Sequence, residues 1–510
     1  MLPRSERSAL RFAVFAAGAL LMALEVAAFR IIGKTFGSAL RETTTVIAVF
    51  LAAMAVGYWG GGRAADRRPR SSTLVATLLA AAATVLLVPW ADAALSPLVA
   101  ASGLALATHA FVATTILFAV PTVLLAATSP IAIRLFTTTT GESGSTAGGI
   151  SALSTTGSIA GSLITAFFLI DWLESISRTV IFVALGTGAT ALLVFIASAH
   201  RSSASRRTRA LAAAGGALLL VLLVAAFVRS STVENELTAP LPGSTIVYVA
   251  DSPYHRVTVR DRGPYRDLYF NVARQTSMKR SDPHGAGLPY TVLFHIAPLL
   301  RPDIQRVLMI GLGGGTGVKQ FARMYPNVQL DVVEVDPMVA EVARRFFSVQ
   351  PNERLRIHVG DGRTFLKRSS EKWDLIIVDA YTTNRYGDTM PPHLTTREFF
   401  AEIAERLTED GVLHFHCAFS SSPLLPAIQR TIADVYPHVL RTSGEILASP
   451  LSMVFDRDQL AARANASPAA GLPDLHRGVA ELTAERLPAA NAPLLTDDYA
   501  PVDTLIYGKR

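Results

Sequence analysis

The sequence has 510 residues, of which 50% are hydrophobic and only 17% are charged, so it is too long for one compact core and too apolar for an ordinary soluble protein. The formal net charge of +7 does not indicate a nucleic-acid partner, because many arginines lie in short segments between apolar runs, where a membrane explains them. The single cysteine, Cys417, excludes an intramolecular disulfide and argues against a cysteine-based metal site, so we expect no metal.

Residues 1–230 consist mainly of apolar runs, and about 20 such residues suffice to cross a bilayer. We predict about seven membrane-spanning helices, near residues 10–32, 44–61, 73–91, 102–127, 148–170, 179–199 and 210–228. An eighth follows if the stretch from Pro97 to Phe136 is a hairpin, whereas Pro121 and Pro130 would otherwise kink one long helix there. The sequence therefore predicts a multi-pass protein of the cell membrane, with the lipid bilayer as a partner.

Two features inside these predicted spans have alternative interpretations. Gly157 and Gly161 form a small-xxx-small pair that would let two helices approach closely, although glycine is also common in membrane helices without that role. Glu25 lies in the first span, five residues before Arg30. A carboxylate in hydrocarbon is costly, so Glu25 is either paired with an arginine or part of a polar pathway.

Basic segments predict the orientation of the spans, since such segments face the cytoplasm. One lies between the second and third spans and another follows the sixth. They contain Arg63, Arg67, Arg68 and Arg70, and Arg201, Arg206, Arg207 and Arg209. A single further span, residues 210–228, would then place the C-terminal half outside. A miscounted span would reverse this, so the side of the C-terminal half stays open.

The C-terminal half has the pattern of an α/β domain. Residues 231–243 are polar and contain two prolines, which predicts a linker. Residues 244–300 contain short β-rich runs and predict a small β element. Residues 301–510 alternate strands such as RVLMIGLG and WDLIIVDAY with helices, which indicates a mainly parallel sheet. We predict a multi-span α-helical membrane domain followed by an α/β domain, with a Rossmann-like, methyltransferase-type sheet and a small N-terminal β element.

Polar residues follow four successive strands of this predicted sheet. The first strand ends in GLGGGTG, Gly311 to Gly317, and later strands end at Glu334, at Asp361 with Gly362, and at Asp379. Ligands of open α/β sheets bind at this carboxyl edge, and an acid about 20 residues after a glycine loop suits ribose hydroxyls. Each acid could instead be a helix N-cap or a solvated charge. Together they favour an adenosine pocket over a nicotinamide site.

The chain resembles the membrane-fused spermidine synthase-like proteins of bacteria over nearly its whole length. The motifs that carry the resemblance follow in the family's order: ALEVAAFRIIGKTFG, IAVFLAAMAVGYWGGGRAADR, SPYHRVTV, GLGGGTG, VVEVDP, HVGDGR, DAY, PPHLTTREFF and LTDDYAPVDTL. The resemblance implies a transferase that moves an aminopropyl group from decarboxylated S-adenosylmethionine to an amine such as putrescine. It releases methylthioadenosine and keeps no permanently bound cofactor.

The same resemblance assigns roles to individual residues. It makes Asp379 the proton acceptor, Glu334 the ligand of the donor's ribose, and Asp361 with Gly362 the contact to adenine. The candidate donor-binding residues are Gln275, Gly313, Gly315, Glu334, Asp361 and Gly362. The candidate acceptor-pocket residues are Tyr254, His255, Tyr290, Thr316 and Thr382.

Three of these residues depart from the family's pattern. Thr316 and Thr382 stand where the family usually has aspartates, and His255 stands where it has glutamine after a tyrosine. Burying a diamine dication without paired acids is costly, so the acceptor stays open. The alternatives are an S-adenosylmethionine-dependent transferase on a less cationic acceptor, and a ligand-binding membrane transporter or sensor. A homo-oligomer is also left open.

Overall fold

The structure is a computed structural model. It describes residues 3–36, 40–102, 106–137, 143–199, 221, 224–225, 243–271, 273–285, 287–384, 387–419, 422–453, 456–485 and 492–507. The chain forms two compact units, Met1–Pro240 with Ala250–Pro253, and Leu241–Val249 with Tyr254–Arg510. The predicted span 210–228 and the predicted linker 231–243 lie almost entirely outside the described residues.

The first unit is helical. Its helices are α1 (Arg4–Phe36), α2 (Leu40–Arg67), α3 (Ser71–Ala100), α4 (Leu106–Ala126), α5 (Thr128–Phe136), α6 (Ser143–Ile164), α7 (Ile170–Leu173) and α8 (Ile176–Ala199), with a π-helical turn at Thr165–Leu169. Within the described residues, 6 segments are long and apolar enough to cross a membrane: Arg4–Gly33, Glu42–Arg67, Ser71–Val99, Thr108–Phe136, Ser143–Leu169 and Ile176–Ala199. These coincide with the first six predicted spans.

The stretch from Pro97 to Phe136 is not a hairpin of two spans. Pro97 lies near the end of α3, and the rest forms one candidate span, Thr108–Phe136, with a break between α4 and α5. Pro130 lies in the first turn of α5 and has no N–H to donate to the carbonyl four residues earlier, which accounts for an interruption at this place. The structure therefore agrees with the kinked-helix alternative.

Helices α1 and α6 pack backbone against backbone. A Cβ atom at Gly157 would lie 2.0 Å from the carbonyl oxygen of Phe15, and one at Gly161 would lie 2.1 Å from that of Ala19. On the opposite side, a Cβ at Gly18 would lie 2.2 Å from the carbonyl oxygen of Ser154. The close helix approach predicted from the glycine pair is confirmed, because any side chain at these positions would force the helices apart.

The second unit begins with a four-stranded sheet. Its strands are β1 (Ser244–Asp251), β2 (Arg256–Arg262), β3 (Tyr265–Phe270) and β4 (Ala273–Lys279), in the order β1-β2-β3-β4. Strands β2, β3 and β4 pair antiparallel. This is the small β element that the sequence predicted.

A seven-stranded sheet follows. Its strands are β5 (Arg306–Ile310), β6 (Gln329–Glu334), β7 (Leu355–Val359), β8 (Trp373–Val378), β11 (Leu407–His416), β12 (His438–Thr442) and β13 (Glu445–Ser449). The two short strands β9 (Thr382–Asn384) and β10 (Gly387–Thr389) pair separately as an antiparallel hairpin. The order in the large sheet is β12-β13-β11-β8-β5-β6-β7. Strands β11, β8, β5, β6 and β7 are parallel, and β13 is antiparallel to both of its neighbours.

Helices connect these strands. They are α9 (Ile296–Leu300), α10 (Thr316–Met324), α11 (Pro337–Phe346), α12 (Gly362–Arg368), α13 (Arg397–Arg406), α14 (Leu424–Val435), α15 (Arg457–Ala466), α16 (Leu475–Ala480) and α17 (Val502–Tyr507). Short 3₁₀ segments lie at Pro289–His295 and Pro392–Leu394. Separate hydrophobic clusters pack on the two faces of the sheet, and the small sheet packs on α11 through Val257, Leu268, Val339 and Val342. The predicted fold class is confirmed.

The position of β5 in the large sheet determines where a ligand can bind. The chain passes from β5 to β6 on one side and reaches β8 on the other, so the strand order reverses at β5. At such a switch point the loops diverge and leave a crevice at the carboxyl ends of the strands. The glycine loop after β5 and Asp379 after β8 both lie at this crevice.

Candidate active site

Backbone hydrogen bonds join the loops at the carboxyl edge of the large sheet. The N–H of Gly311 donates to Val333 O at 2.8 Å, and the N–H of Asp379 donates to Ile310 O at 2.9 Å. The N–H of Gly360 donates to Glu334 O at 2.9 Å. The strand ends that carry the predicted site residues are therefore direct neighbours.

The glycine loop needs its glycines for conformation and for space. Gly311, Gly313 and Gly315 have φ values of +103°, +52° and +68°, a region that side chains disfavour. A Cβ at Gly311 would lie 2.1 Å from the carbonyl oxygen of Asp379. The N–H of Gly314 donates to Oγ1 of Thr276 on β4 at 2.9 Å. The loop thus contacts both the Asp379 segment and the small sheet.

Glu334 is buried at the end of β6 and faces this loop. Its carboxylate accepts hydrogen bonds from the backbone N–H groups of Leu312 and Asp336, each at 3.0 Å. Burial raises the pKa of Glu334 to about 7, although the backbone N–H groups oppose that rise. The neighbouring Asp336 instead caps α11 by accepting from Met338 N at 2.9 Å. Of these two acids, Glu334 is the one directed toward the glycine loop.

Asp361 and Gly362 begin α12 beside β5. Asp361 caps the helix by accepting from Thr364 N at 2.8 Å, and its other oxygen lies 2.9 Å from Nε2 of His393. Burial opposes ionisation of Asp361, but these bonds outweigh it and hold the pKa below its ordinary value. A Cβ at Gly362 would lie 2.4 Å from Cγ2 of Ile310. The alternative in which Asp361 is a helix N-cap is therefore correct for one of its carboxylate oxygens, while the other contacts His393.

The closing motif LTDDYAPVDTL holds α12 in place. The buried guanidinium of Arg363 donates to both oxygens of Glu402 at 2.7 and 2.8 Å and to both oxygens of Asp497 at 2.7 and 2.8 Å. Asp497 also accepts from the hydroxyl of Thr396 at 2.8 Å. Bidentate pairs of this kind fix geometry as well as adding energy. The motif therefore anchors the helix whose first turn carries Asp361 and Gly362.

Asp379 follows β8 and has an aromatic partner. The hydroxyl of Tyr290 donates to its Oδ2 at 3.2 Å. Burial raises the pKa of Asp379, His416 opposes the rise, and the negative charge of Glu445 adds to it. A carboxylate whose pKa lies above its ordinary value accepts a proton more readily, which is what a general base near neutral pH requires.

A buried cluster of two histidines and a glutamate lies behind Tyr290, and the sequence reasoning missed it. Nδ1 of His416 lies 2.5 Å from Oε1 of Glu445, and Nε2 of His414 lies 3.0 Å from Oε2. The ring of Tyr290 stacks on His416, with centroids 4.2 Å apart and an interplanar angle of 13°. The signal in the sequence is the HFH run at the end of β11, which places both histidines on one face of the strand.

Comparisons with known proteins identify the family of the chain. A family model of the spermine/spermidine synthase domain matches residues 290–441. The polyamine aminopropyltransferase of Vibrio vulnificus (strain CMCP6) is 31% identical over 279 residues, which cover 51% of this chain and 92% of that protein. The chain belongs to the polyamine aminopropyltransferase family. It is therefore a transferase of the spermidine synthase type.

Two further relatives show how far the similarity extends. A probable polyamine aminopropyl transferase of Bifidobacterium longum (strain NCC 2705) is 27% identical over 309 residues, 54% of this chain and 66% of that protein. The crystal structure of spermidine synthase from Thermotoga maritima has 20% sequence identity and a TM-score of 0.36, over 45% of this chain and 84% of that one.

Within this aminopropyltransferase, Gln275 occupies an irregularity of β4. Leu268 pairs with Thr276 and Tyr269 pairs with Arg274, so Gln275 is an extra residue in β4. Such bulges redirect side chains and are frequent beside active sites. The next residue, Thr276, accepts the hydrogen bond from Gly314. Gln275 is therefore the extra residue of this bulge, and its contact with the donor stays a prediction.

The other candidate acceptor-pocket residues of this aminopropyltransferase have different surroundings. His255 follows the half-exposed Tyr254 and stacks on Phe270 of β3, with centroids 4.5 Å apart. Thr316 is the buried first residue of α10, and Thr382 pairs with Thr389 across the β9–β10 hairpin. Of the five candidates, Tyr290 is the one with a hydrogen bond to Asp379. The roles of the others stay predictions.

Proposed function

We propose that this protein is a membrane-bound polyamine aminopropyltransferase. It moves the aminopropyl group of decarboxylated S-adenosylmethionine to a primary amine and releases methylthioadenosine. The observation that carries the proposal is Asp379, a carboxylate with a raised pKa that accepts a hydrogen bond from Tyr290 and adjoins the glycine loop at the switch point of the sheet. Membership of the family supports the same reaction.

The proposed chemistry is a displacement at the carbon beside a sulfonium. The amine nitrogen forms the new N–C bond as the C–S bond breaks, and the bonding electrons of the C–S bond neutralise the sulfur. The nitrogen must first lose a proton, which passes to the carboxylate of Asp379. The rest of the rate comes from holding nitrogen, carbon and sulfur in line, which the rigid strand ends favour.

The donor's nucleoside fits the other side of the crevice. Glu334 is buried, ionisable and next to the glycine loop, so its oxygens suit the ribose hydroxyls. Asp361 and the start of α12 lie beside it, because Gly360 is hydrogen-bonded to Glu334. We assign adenine to that position and the aminopropyl chain to the side of Asp379.

A small amine such as putrescine is the acceptor to test first. Thr316 and Thr382 supply hydroxyls where paired acids would neutralise a second ammonium group, and a buried unpaired ammonium is costly. We therefore expect amines with one cationic end to compete well with diamines. Parallel assays of putrescine and of a monoamine of similar length test this expectation.

The membrane assignment belongs to the same proposal. Six long apolar helices in the described residues support it, and large exposed apolar side chains along these helices, such as Leu51, Phe111 and Phe168, would face lipid. We propose a multi-pass protein of the cell membrane, in which the helical unit anchors the catalytic one.

Substitution of Asp379 tests the reaction. In the full-length protein in detergent, Asp379→Asn should lower kcat/KM with decarboxylated S-adenosylmethionine by roughly 10²- to 10⁴-fold, the usual contribution of a general base. Binding of methylthioadenosine, measured by calorimetry, should persist. The matched control is Asp374→Asn at the opposite end of β8, where Asp374 accepts from the N–H groups of Gln305 and Arg306, each at 2.9 Å.

The control should lose stability but keep its turnover number. Full activity of Asp379→Asn would remove Asp379 from the mechanism. Turnover of intact S-adenosylmethionine with methyl transfer, instead of the decarboxylated donor, would replace the proposed reaction by a methyltransferase.

A further inference from the structure

His414, His416 and Glu445 form a buried hydrogen-bonded cluster. None of the three takes part in the proposed transfer step. Glu445 is 0% exposed, and both of its oxygens are held by imidazole nitrogens at 2.5 and 3.0 Å. Burial opposes its ionisation, but the two histidines outweigh that effect and keep the pKa of Glu445 below its ordinary value. A buried charge with this many partners has a geometry that few rearrangements can satisfy.

Main-chain contacts also constrain His416. Strand β13 pairs antiparallel with β11, and in that register Glu445 is the direct partner of His416. The hydroxyl of Tyr381 donates to the carbonyl oxygen of His416 at 2.7 Å and accepts from Ala418 N at 2.9 Å. The imidazole of His416 is therefore constrained through its main chain and through its Nδ1 atom.

Tyr290 links this constrained ring to Asp379. It lies on His416 with centroids 4.2 Å apart, and Phe294 packs edge-on against Tyr290 at 5.8 Å and against His414 at 5.3 Å. Stacking sets the plane of the phenol, and the plane determines where its hydroxyl points. That hydroxyl donates to Oδ2 of Asp379 at 3.2 Å, which leaves Oδ1 as the oxygen to receive a proton.

We propose that His416 and Glu445 are positioning residues for Asp379, acting through Tyr290. Glu445 holds the His416 ring, the ring supports Tyr290, and Tyr290 orients the carboxylate that takes the proton from the acceptor amine. This inference rests on the proposed function. The residues that position Asp379 are then distinct from the glycine loop and Glu334, which we assign to the donor.

A double-mutant cycle tests the inference in the full-length protein. Glu445→Gln and Tyr290→Phe should each lower kcat by about ten- to a hundredfold, because small misplacements of a catalytic group have effects of that size. The affinity for methylthioadenosine should stay unchanged in both. The double variant should be no slower than the slower single variant, since both changes interrupt the same chain of contacts.

His416→Asn supplies a second route if Glu445→Gln fails to fold. Its amide nitrogen takes the place of Nδ1 and can still donate to Glu445, but the stacking ring is gone. It should show the same loss of kcat and the same coupling to Tyr290→Phe. The matched control is Asp331→Asn, another buried carboxylate bonded to a histidine, His358 at 3.0 Å. It lies on β6, three residues before Glu334, and should leave kcat unchanged.

Each outcome decides between the inference and its alternatives. Wild-type kcat in Glu445→Gln, or losses that multiply in the double variant, would overturn the positioning role while the proposed function stands. If the wild-type protein transfers no aminopropyl group to any amine, the proposed function fails. A crystal structure of Glu445→Gln then decides the inference: a Tyr290 hydroxyl displaced from Asp379 supports it, and an unchanged contact refutes it.

Discussion

Glu334 shows how burial and hydrogen bonding compete at a single residue. Its carboxylate lies in a site with little water, which favours the protonated form, while backbone N–H groups of Leu312, Gly313 and Asp336 favour the ionised form. Burial prevails, and the pKa rises to about 7. The protein thus keeps a poorly solvated acid at the position that we propose for the ribose hydroxyls.

If Glu334 binds the ribose as proposed, we expect the affinity for the nucleoside to depend on pH. Ribose hydroxyls donate better to a carboxylate than to a carboxylic acid, so binding favours the ionised form of Glu334. The affinity for methylthioadenosine should therefore rise with pH through about 7 and level off above it, by up to about tenfold per pH unit below the pKa. Calorimetry of the full-length protein between about pH 6 and about pH 8 measures this slope.

Glu334→Gln serves as the control, because a glutamine cannot titrate and its slope should vanish. Asp361 should add no slope of its own over that range, since its pKa lies below the ordinary value. A wild-type affinity that is constant across the range would show that Glu334 does not bind the nucleoside in its ionised form.

Helix packing in the first unit depends on where glycine occurs along α6. Gly157 and Gly161 face α1, where their missing Cβ atoms would collide with main-chain oxygens at 2.0 and 2.1 Å. Gly148 and Gly149 lie on the same helix with nothing within 4 Å. The same residue type is therefore a packing requirement at one end of α6 and has no such role at the other.

Alanine substitution should separate the two cases. Gly157→Ala should destabilise the unit by roughly 1–3 kcal/mol, the range for overpacking against atoms that cannot move freely. Gly149→Ala should be neutral or stabilising by up to about 1 kcal/mol, the helix-propensity difference. Thermal unfolding in detergent compares the two variants. Equal melting temperatures would mean that α1 and α6 separate easily enough to accept a methyl group.

Several charged residues of the helical unit lie near one of its ends. The hydroxyl of Ser71 at the start of α3 donates to Glu6 near the start of α1 at 2.6 Å, and Arg134 at the end of α5 pairs with Asp66 at 3.3 Å. Leu10, Ala65, Leu74, Ile131 and Ala191 form one hydrophobic cluster near the same end. The basic residues near position 67 and at the N-terminus therefore share one end of the unit.

We expect this basic end to face the cytoplasm. Cysteines introduced as Arg68→Cys and Ala101→Cys report on opposite ends of α3, and the native Cys417 is buried and should stay silent. A membrane-impermeant maleimide should label Ala101→Cys in intact cells and Arg68→Cys only after permeabilisation. The reverse labelling pattern would mean that the helical unit has the opposite orientation in the membrane. Lys372→Cys, on an exposed loop of the second unit, then reports the side of the catalytic domain.

The amino-acid sequence by itself determined the fold class and pointed to the candidate residues at the strand ends. Apolar runs of about 20 residues predict long helices that could cross a membrane. Alternating strands and helices imply a parallel sheet whose carboxyl ends carry Gly311, Glu334, Asp361 and Asp379. These inferences hold because each of these residues lies at the end of its strand or within two residues of it, so local order in the chain sets its position in space.

Only the tertiary structure decided which distant residues surround Asp379. Tyr290 meets Asp379 at a sequence separation of 89 residues, and His416 meets Glu445 because β13 turns back antiparallel along β11. Thr276 meets Gly314 of the glycine loop, and Gln275 beside it is the extra residue of a bulge in β4. Pairing register, bulges and ring stacking depend on how distant segments pack against one another, and no local pattern of residues fixes them.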